Sequence, residues 1–240
     1  MAFSFLYWTY FLIVGCVMTP IFLVVGLLAL PFDPKRFVAH RMTALWAWLL
    51  VGTNPFWRIE IEGKDLLKKG QAYVFAANHQ SHFDVFTLLL LGHPVKWLAK
   101  KSLLFVPFVG QVMALNGYVW VTRSDPESRK RAFEQMRAWL KRGASLFFFP
   151  EGTRSADGEI KVFHAGAFRV AKEAGVPVAP VVIEGTRKIL PKNSARLMWQ
   201  GRIYVRVLEP VLAAPDEEVD AFRARVRALM LREYQQLASH

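Results

Sequence analysis

The chain has 240 residues, of which 53% are hydrophobic, so it suits one folded domain and is too apolar to be intrinsically disordered. Its formal net charge of +12 attracts polyanions such as nucleic acids, anionic lipid headgroups and phosphorylated substrates. The single cysteine, Cys16, excludes an intramolecular disulfide and a cysteine-based zinc site.

The N-terminal segment is free of charge. No Asp, Glu, Lys or Arg occurs in residues 1–32, and this run exceeds the roughly 20 apolar residues that cross a bilayer. A cleaved signal peptide fits poorly, because the run lacks a basic start and is too long. Residues 4–30 are predicted to form one hydrophobic helix and residues 37–52 a second, joined by a proline-rich turn.

Two membrane arrangements fit this helical hairpin, a single span and a monotopic one that is partly embedded in one leaflet. A buried core hairpin of a soluble protein is the alternative, which the aromatic-rich, charge-free start disfavours. The basic residues that follow the apolar run are Lys35, Arg36 and Arg41. Their position predicts that the main body lies on the cytoplasmic side of a membrane.

From residue 57 onward, predicted strands alternate with predicted helices. The predicted strands are 57–61, 71–77, 118–122, 145–149, 178–183 and 202–207. The predicted helices are 79–91, 127–141 and a last one that Asp216 caps and that ends at Leu237. This alternation indicates an α/β domain with a mixed, largely parallel sheet flanked by helices. We therefore expect a membrane-anchoring segment over 1–56 and an α/β domain over 57–240.

Residues 78–84 read Asn-His-Gln-Ser-His-Phe-Asp and follow a predicted strand, at the edge of the sheet where ligand sites gather. On an ideal helix, positions five apart differ by roughly 140°, so His79 reaches Asp84 only from the turn before the helix. The aspartate would then fix the tautomer of the ring and leave the other ring nitrogen free as a base.

Two other interpretations of this segment stay open. His79 and Asp84 could be a polar turn residue and a first-turn carboxylate that the helix dipole favours. The second interpretation is a metal site formed by His79, His82 and Asp84. The spacing of these residues matches no common zinc motif and no cysteine completes the site, so we predict no metal.

Residues 149–155 read Phe-Pro-Glu-Gly-Thr-Arg-Ser and follow another apolar strand. Gly152 allows the backbone to approach a ligand closely, and Arg154 can hold a phosphate with two hydrogen bonds. Glu151 is expected to position a hydroxyl or to pin Arg154. The alternative is an ordinary glycine turn with a solvated salt bridge.

Two weaker segments accompany these motifs. Residues 117–123 form a predicted strand ending in Arg123, a further candidate phosphate ligand, and Lys100 and Lys101 precede it and add positive potential. Residues 176–182 form an apolar strand with prolines, which either shapes a substrate pocket or simply lies in the core.

Together the four segments resemble the glycerolipid acyltransferase family, whose signature is an N-H-x-x-x-x-D block followed by a F-P-E-G-T-R-S block. They stand in the family's order across roughly residues 71–185. The resemblance implies a glycerol-3-phosphate acyltransferase-like fold, with His79 as general base and Asp84 orienting it. It also implies that Arg123 and Arg154 grip the phosphate of the acceptor. The residues that it implies for the pocket around them are Glu151, Gly152, Thr153, Lys100 and Lys101.

The implied reaction moves a fatty acyl group from an acyl thioester to the sn-2 hydroxyl of 1-acyl-sn-glycerol 3-phosphate, giving phosphatidic acid without a covalent acyl-enzyme. No cofactor is implied, since acyl-CoA or acyl carrier protein is a co-substrate, and the implied partner is a phospholipid bilayer. Another acceptor, such as a lyso-ornithine lipid, fits the same motifs. A non-enzymatic membrane scaffold is disfavoured by the intact motifs. A nucleic-acid-binding protein is suggested by the charge alone and lacks any standard signature.

Overall fold

The computed structural model describes residues 1–122 and 124–238. The strands are β1 (Trp57–Glu62), β2 (Val74–Ala77), β3 (Val95–Lys100), β4 (Val119–Val121), β5 (Ser145–Phe148), β6 (Val178–Glu184) and β7 (Gly201–Val207). The helices are α1 (Ala2–Ala29), α2 (Phe37–Ala47), α3 (Phe83–Leu89), α4 (Val109–Leu115), α5 (Pro126–Lys141), α6 (Gly166–Ala174), α7 (Thr186–Ile189) and α8 (Val219–Ala238). Helix α2 continues as a π-helical turn over Trp48–Gly52, and short 3₁₀ turns occupy Lys64–Leu66 and Lys101–Phe105.

The seven strands form one sheet in the order β1-β7-β6-β2-β5-β3-β4. Neighbouring strands are parallel except β6 and β7, which are antiparallel, so the prediction of a mixed, largely parallel sheet is confirmed. The reversal between β6 and β7 brings the starts of β1 and β7 to the edge at which β2, β3, β4, β5 and β6 end. We call this edge the carboxyl edge.

Helices cover both faces of the sheet because its central strands are apolar on both sides. Side chains alternate between the faces along a strand, so Phe75 and Phe147 point to one helical layer while Val74 and Leu146 point to the other. The first layer contains α1, α2, α3 and α4, and the second contains α5, α6 and α8.

Helix α1 lies across the first layer. Near its start, the ring of Tyr7 is 5.2 Å from that of Trp57 on β1, and the Tyr7 hydroxyl donates to the Leu50 carbonyl. Near its end, Gly26 lies against Leu115 of α4, where a Cβ atom would be 2.3 Å from the leucine. The hairpin thus shares a core with the sheet, and the division at residue 56 stays a prediction.

Two predicted helix starts are wrong. Helix α3 begins at Phe83 instead of residue 79, because residues 79–82 form the turn that carries the polar motif. Helix α8 begins at Val219, three residues after Asp216, so Asp216 is not its cap. In contrast, α5 ends at Lys141 as predicted, and Gly143 follows it with a φ of 74° and its N–H donating to the Leu140 carbonyl.

Candidate active site

The histidine turn begins where β2 ends. Asn78 is buried there, and its side-chain amide exchanges two hydrogen bonds of 2.8 Å with the backbone of Ile183 on β6. The next residues leave the sheet before α3 begins. The ring of His79 folds back from this turn, and its Nδ1 lies 2.8 Å from Asp84 Oδ2. The two hydrogen bonds of Asn78 therefore fix the position of the His79 and Asp84 pair on the carboxyl edge.

The carboxylate of Asp84 is fully buried and fully engaged. Its Oδ2 accepts from the backbone N–H of Gln80 at 2.6 Å and of Ser81 at 2.9 Å, besides the histidine ring. Its Oδ1 accepts from the hydroxyl of Thr186. These donors offset the cost of burying a carboxylate. Because Nδ1 of His79 faces the carboxylate, its Nε2 carries the lone pair that can accept a proton.

The ring of His79 is also held from its face. Phe149, the residue after β5, stacks on it with ring centroids 3.8 Å apart and planes 12° from parallel. The edge of the ring meets Asp84 and the face meets Phe149, so the direction of Nε2 is set by two independent contacts. The ring keeps 16% of its side-chain surface exposed, enough for a substrate to reach it.

Glu151 ties the two sequence motifs together. Its Oε1 accepts from the backbone N–H of His79 at 2.8 Å, and its Oε2 accepts from that of Lys161 at 3.2 Å. In the reverse direction, the N–H of Ser155 donates to the carbonyl of His79 at 2.7 Å. We expected Glu151 to position a hydroxyl or to pin Arg154. The structure has its two oxygens on backbone amides, so it holds the histidine turn against the second motif.

The other residues of the second motif continue along the carboxyl edge. Gly152 has a φ of 70°, and a Cβ there would lie 3.1 Å from the ring of His164. Thr153 is exposed, whereas Arg154 is half-buried and its carbonyl accepts from Lys192 Nζ at 2.8 Å. Although His82 is exposed, partial desolvation by neighbouring protein atoms, followed by the charge of Arg154, lowers its pKa. The charge of Arg154 therefore acts on the histidine turn, and the backbone of the next residue, Ser155, is hydrogen-bonded to that turn at His79.

The remaining predicted site residues lie farther along the sheet. Lys100 and Lys101 are exposed at the end of β3, which is separated from β2 by β5. Arg123 lies outside the described residues. Among the residues that the structure describes, no three His, Cys, Asp or Glu side chains are grouped to hold a metal ion. The prediction of no metal site, like the role of each residue, stays a prediction.

Comparison with known proteins identifies the family of this chain. The family model described as Acyltransferase matches residues 58–184, which contain both motifs, all of strands β2 to β6 and all but the first residue of β1. The chain belongs to the acyltransferase family. The resemblance inferred from the two motifs is therefore confirmed.

The relatives of this acyltransferase carry consistent names. A chloroplastic 1-acyl-sn-glycerol-3-phosphate acyltransferase of Arabidopsis thaliana is 39% identical over 75% of this chain and 51% of its own length. A 1-acyl-sn-glycerol-3-phosphate acyltransferase of Salmonella typhimurium is 30% identical over 91% of this chain and 89% of its own. The chain thus spans about half the length of the chloroplastic relative and most of the bacterial one.

A solved structure shares the fold of this acyltransferase. The 1-acyl-sn-glycerophosphate acyltransferase PlsC from Thermotoga maritima superposes with a TM-score of 0.80 and 24% sequence identity. The match covers 99% of this chain and 98% of that one. It includes the N-terminal helices as well as the sheet.

Two polar residues of the site were missed at the level of sequence. Thr186 follows β6 and donates to Asp84, and Tyr234 of α8 accepts from Gln80 Nε2 at 2.8 Å. A signal for Thr186 does exist, because Gly185 and Thr186 follow an apolar strand at the edge where such sites gather. No pattern near Tyr234 points to the site, since it looks like an ordinary residue of an amphipathic helix.

Replacing Thr186 by valine is expected to lower kcat about tenfold, equivalent to about 1.4 kcal/mol, with KM nearly unchanged. Valine keeps the shape but leaves one oxygen of a buried carboxylate without its donor. Hydrogen bonds to charged groups contribute about 1.5–3 kcal/mol, so the melting temperature should fall too. Steady-state kinetics and thermal unfolding measure both effects. Thr186→Ser restores the hydroxyl and should restore kcat; failure of that rescue would contradict the assigned role.

Glu151 should give the stability of the fold a distinct dependence on pH. Burial raises its pKa from 4.5 to about 7, against the lowering effect of the two backbone hydrogen bonds. A raised pKa means that the folded state binds the proton more tightly, so this stabilisation is complete below pH 4.5 and lost as the pH rises to about 7. The loss is at most about 1.4 kcal/mol per pH unit.

Glu151→Gln removes this titration, and otherwise it changes the free energy of unfolding by an amount that does not depend on pH. The melting temperature of the wild type, minus that of the variant, should therefore fall between pH 4.5 and 7 and level off above. Thermal unfolding of both proteins in matched detergent buffers measures the difference. A difference that stays flat or rises over this range would contradict the raised pKa.

Proposed function

We propose that this acyltransferase transfers a fatty acyl group from an acyl thioester to the sn-2 hydroxyl of 1-acyl-sn-glycerol 3-phosphate, forming phosphatidic acid. The observation that carries the proposal is the hydrogen bond between the accessible ring of His79 and the buried carboxylate of Asp84 at the end of β2, close enough to Arg154 for its charge to act on the same turn. The names of the relatives support 1-acyl-sn-glycerol 3-phosphate as the acceptor. Acceptors of this kind carry a phosphate, which suits a guanidinium next to a base.

In the proposed reaction, His79 acts as the general base and Asp84 as its orienting partner. As the acceptor hydroxyl attacks the thioester carbonyl carbon, Nε2 of His79 takes the hydroxyl proton. The resulting tetrahedral intermediate collapses, the carbon–sulfur bond breaks, and the departing thiolate receives the proton from His79. Asp84 stabilises the transient imidazolium and keeps the ring in the correct tautomer. No covalent acyl-enzyme and no cofactor are needed.

The acceptor phosphate is proposed to bind at the second motif. Arg154 would hold it, with Arg123 as a second ligand and Lys100 and Lys101 adding positive potential. The residues proposed to shape the pocket are Glu151, Gly152 and Thr153. Glu151 would contribute by holding the backbone at His79 and at Lys161, whose N–H groups it accepts from.

Membrane attachment is proposed to occur through α1, with the main body on the cytoplasmic face. The helix has 28 residues and is about 42 Å long, enough to cross a bilayer. It is, however, packed onto the domain near both of its ends, at Trp57 and at Leu115. A perpendicular crossing would pull the polar domain into hydrocarbon. A helix that lies in one leaflet, with Phe5 and Leu28 outward, avoids this cost.

The test is an acyl-transfer assay with the purified protein in detergent or vesicles. Lysophosphatidic acid is mixed with labelled acyl-CoA or labelled acyl carrier protein, and phosphatidic acid is measured by chromatography. Product with either donor supports the reaction and identifies the donor. Product only with a phosphate-free lysolipid, such as a lyso-ornithine lipid, would keep the acyltransferase chemistry and overturn the proposed acceptor.

Arg154→Ala provides the matched test of the phosphate site. The KM for lysophosphatidic acid should rise about tenfold or more, since hydrogen bonds to charged groups contribute about 1.5–3 kcal/mol. The KM for the acyl donor should stay near the wild-type value. Equal increases in both would contradict a phosphate site at Arg154.

A further inference from the structure

Three large apolar side chains lie exposed together outside the N-terminal hairpin. Phe56, Met198 and Trp199 are 53%, 45% and 49% exposed, and we call them the Trp199 patch. The rings of Phe56 and Trp199 meet edge to face, with centroids 5.3 Å apart. Singly scattered exposed apolar residues are common on soluble proteins, whereas contiguous exposed apolar patches mark interaction sites.

The patch lies at the same edge of the sheet as the candidate active site. Phe56 directly precedes β1, and Trp199 lies two residues before β7, and both strands start at the carboxyl edge. Exposed arginines adjoin the patch, namely Arg58, Arg196 and Arg202. Aromatic rings beside basic side chains are the composition of surfaces that rest in the headgroup region of an anionic bilayer.

The loop that carries the patch is attached to α1. Trp8 Nε1 of α1 donates to the Ala195 carbonyl at 2.7 Å, and the Leu197 N–H donates to Ser4 Oγ at 3.0 Å. The first turns of α1 next to these contacts expose Phe5 and Leu6 by 72% and 65%. The patch is therefore continuous with the apolar face of α1 and is held at a fixed position relative to it.

The same loop contacts the candidate active site at its other end. Ser81 Oγ of the histidine turn donates to the Leu190 carbonyl at 2.7 Å, and Lys192 Nζ donates to the carbonyl of Arg154. Residues 190–200 thus connect the apolar start of α1 with both motifs of the site. A lipid whose headgroup lies next to the patch would be separated from Arg154 by no more than the length of the loop 190–200.

We propose that the Trp199 patch inserts into the interfacial region of an anionic phospholipid bilayer, as a second contact beside α1. This contact turns the carboxyl edge of the sheet towards the lipid headgroups. A lysolipid acceptor can then reach His79 while the acyl chain of the lipid stays in the bilayer. The proposal rests on the membrane attachment stated under the proposed function, and it does not depend on which acceptor is acylated.

Tryptophan fluorescence with brominated lipids tests the insertion. The full-length protein is reconstituted into vesicles of phosphatidylglycerol and phosphatidylcholine, with or without bromine on the acyl chains, and co-flotation is checked. The difference emission between the wild type and Trp199→Phe isolates the one side chain. We expect this difference to be quenched by the brominated lipid. Trp139→Phe is the matched control, because Trp139 lies on α5 in the opposite helical layer, and its difference emission should not be quenched.

The outcomes separate the two proposals. If the wild type does not float with vesicles, membrane attachment and this inference both fail. If it floats but the Trp199 emission is unaffected by bromine, the inference alone is overturned. A blue-shifted but unquenched emission would show that protein, such as a second copy of the chain, covers the patch, and this also overturns the inference.

A second pair of variants measures the contribution of the patch to binding. Phe56→Ser with Trp199→Ser should lower the vesicle partition coefficient about tenfold, because two interfacial side chains lose their burial. Leu212→Ser is the control, since Leu212 is similarly exposed, at 57%, but lies by the start of β6 at the opposite edge of the sheet. Equal decreases of the partition coefficient in the double variant and in Leu212→Ser would overturn the inference.

Discussion

Replacing His79 by alanine is expected to lower kcat by about 10²–10⁴, the usual contribution of a positioned general base. The imidazole is the group whose Nε2 is free to accept a proton, because its Nδ1 is bound to Asp84 at 2.8 Å. The fold should persist, since the backbone bonds of residue 79 to Glu151 and Ser155 do not need the ring. Steady-state kinetics with saturating lysophosphatidic acid and acyl donor measure the loss.

His82→Ala is the control in the same turn. His82 is exposed and directly precedes α3, and Asp84 hydrogen-bonds the other histidine of the motif. Its removal should change kcat by less than about threefold, which is under 1 kcal/mol of transition-state stabilisation. Similar losses in the two variants would show that the motif acts through its fold and not through one base. Activity that survives in His79→Ala would keep the enzyme class and overturn the mechanism.

Replacing Asp84 by asparagine is expected to lower kcat by about 10³–10⁴ and to destabilise the fold. The side chain accepts hydrogen bonds at both oxygens, so an amide must turn its NH₂ towards N–H donors or the Thr186 hydroxyl. It would also permit the wrong tautomer of His79, in which Nε2 carries the proton and cannot act as a base. Even with its NH₂ on the Thr186 hydroxyl, which can accept, the neutral amide loses the charge that strengthens the other hydrogen bonds, each of which contributes about 1.5–3 kcal/mol, so the melting temperature should fall.

The double variant His79→Ala with Asp84→Asn separates orientation from charge. If the aspartate acts only through the histidine, the double variant should be about as slow as His79→Ala alone, because residues that act as a unit are not additive. Kinetics of the two single variants and the double variant provide the cycle. Losses that multiply would show that Asp84 acts on the substrate independently of His79, contrary to the geometry.

The two motifs could be predicted from the sequence because their chemistry is local. A histidine and an aspartate five residues apart meet only if the first lies in a turn, and the structure has α3 starting at Phe83. The strand before the turn and the strand before Glu151 were also readable as apolar runs. What the sequence could not reveal is that Glu151 bonds the backbone of His79, because this requires β2 and β5 to be neighbours.

Strand β3 was missed because a charge interrupts its apolar pattern. Lys96 is 3% exposed within this strand, and burial lowers its pKa to about 7. Its ammonium donates to the Asn116 carbonyl at 2.8 Å and lies 4.6 Å from the ring centroid of Trp139. In the sequence, Asn116 precedes β4 and Trp139 follows it. A lysine normally indicates a solvated position, and only the assembled fold supplies the contacts that allow its burial.

The partners of the histidine turn come from distant parts of the chain. Thr186 is 102 residues from Asp84, and Tyr234 is 154 residues from Gln80. During synthesis from the N-terminus, the turn is therefore made long before α8 emerges to complete its hydrogen bonds. A nascent chain that has reached only residue 184, where the family match ends, would lack both Thr186 and Tyr234. We expect acyl transfer to begin only after α8 has packed on the sheet, so that half-made chains on the ribosome do not consume acyl donor.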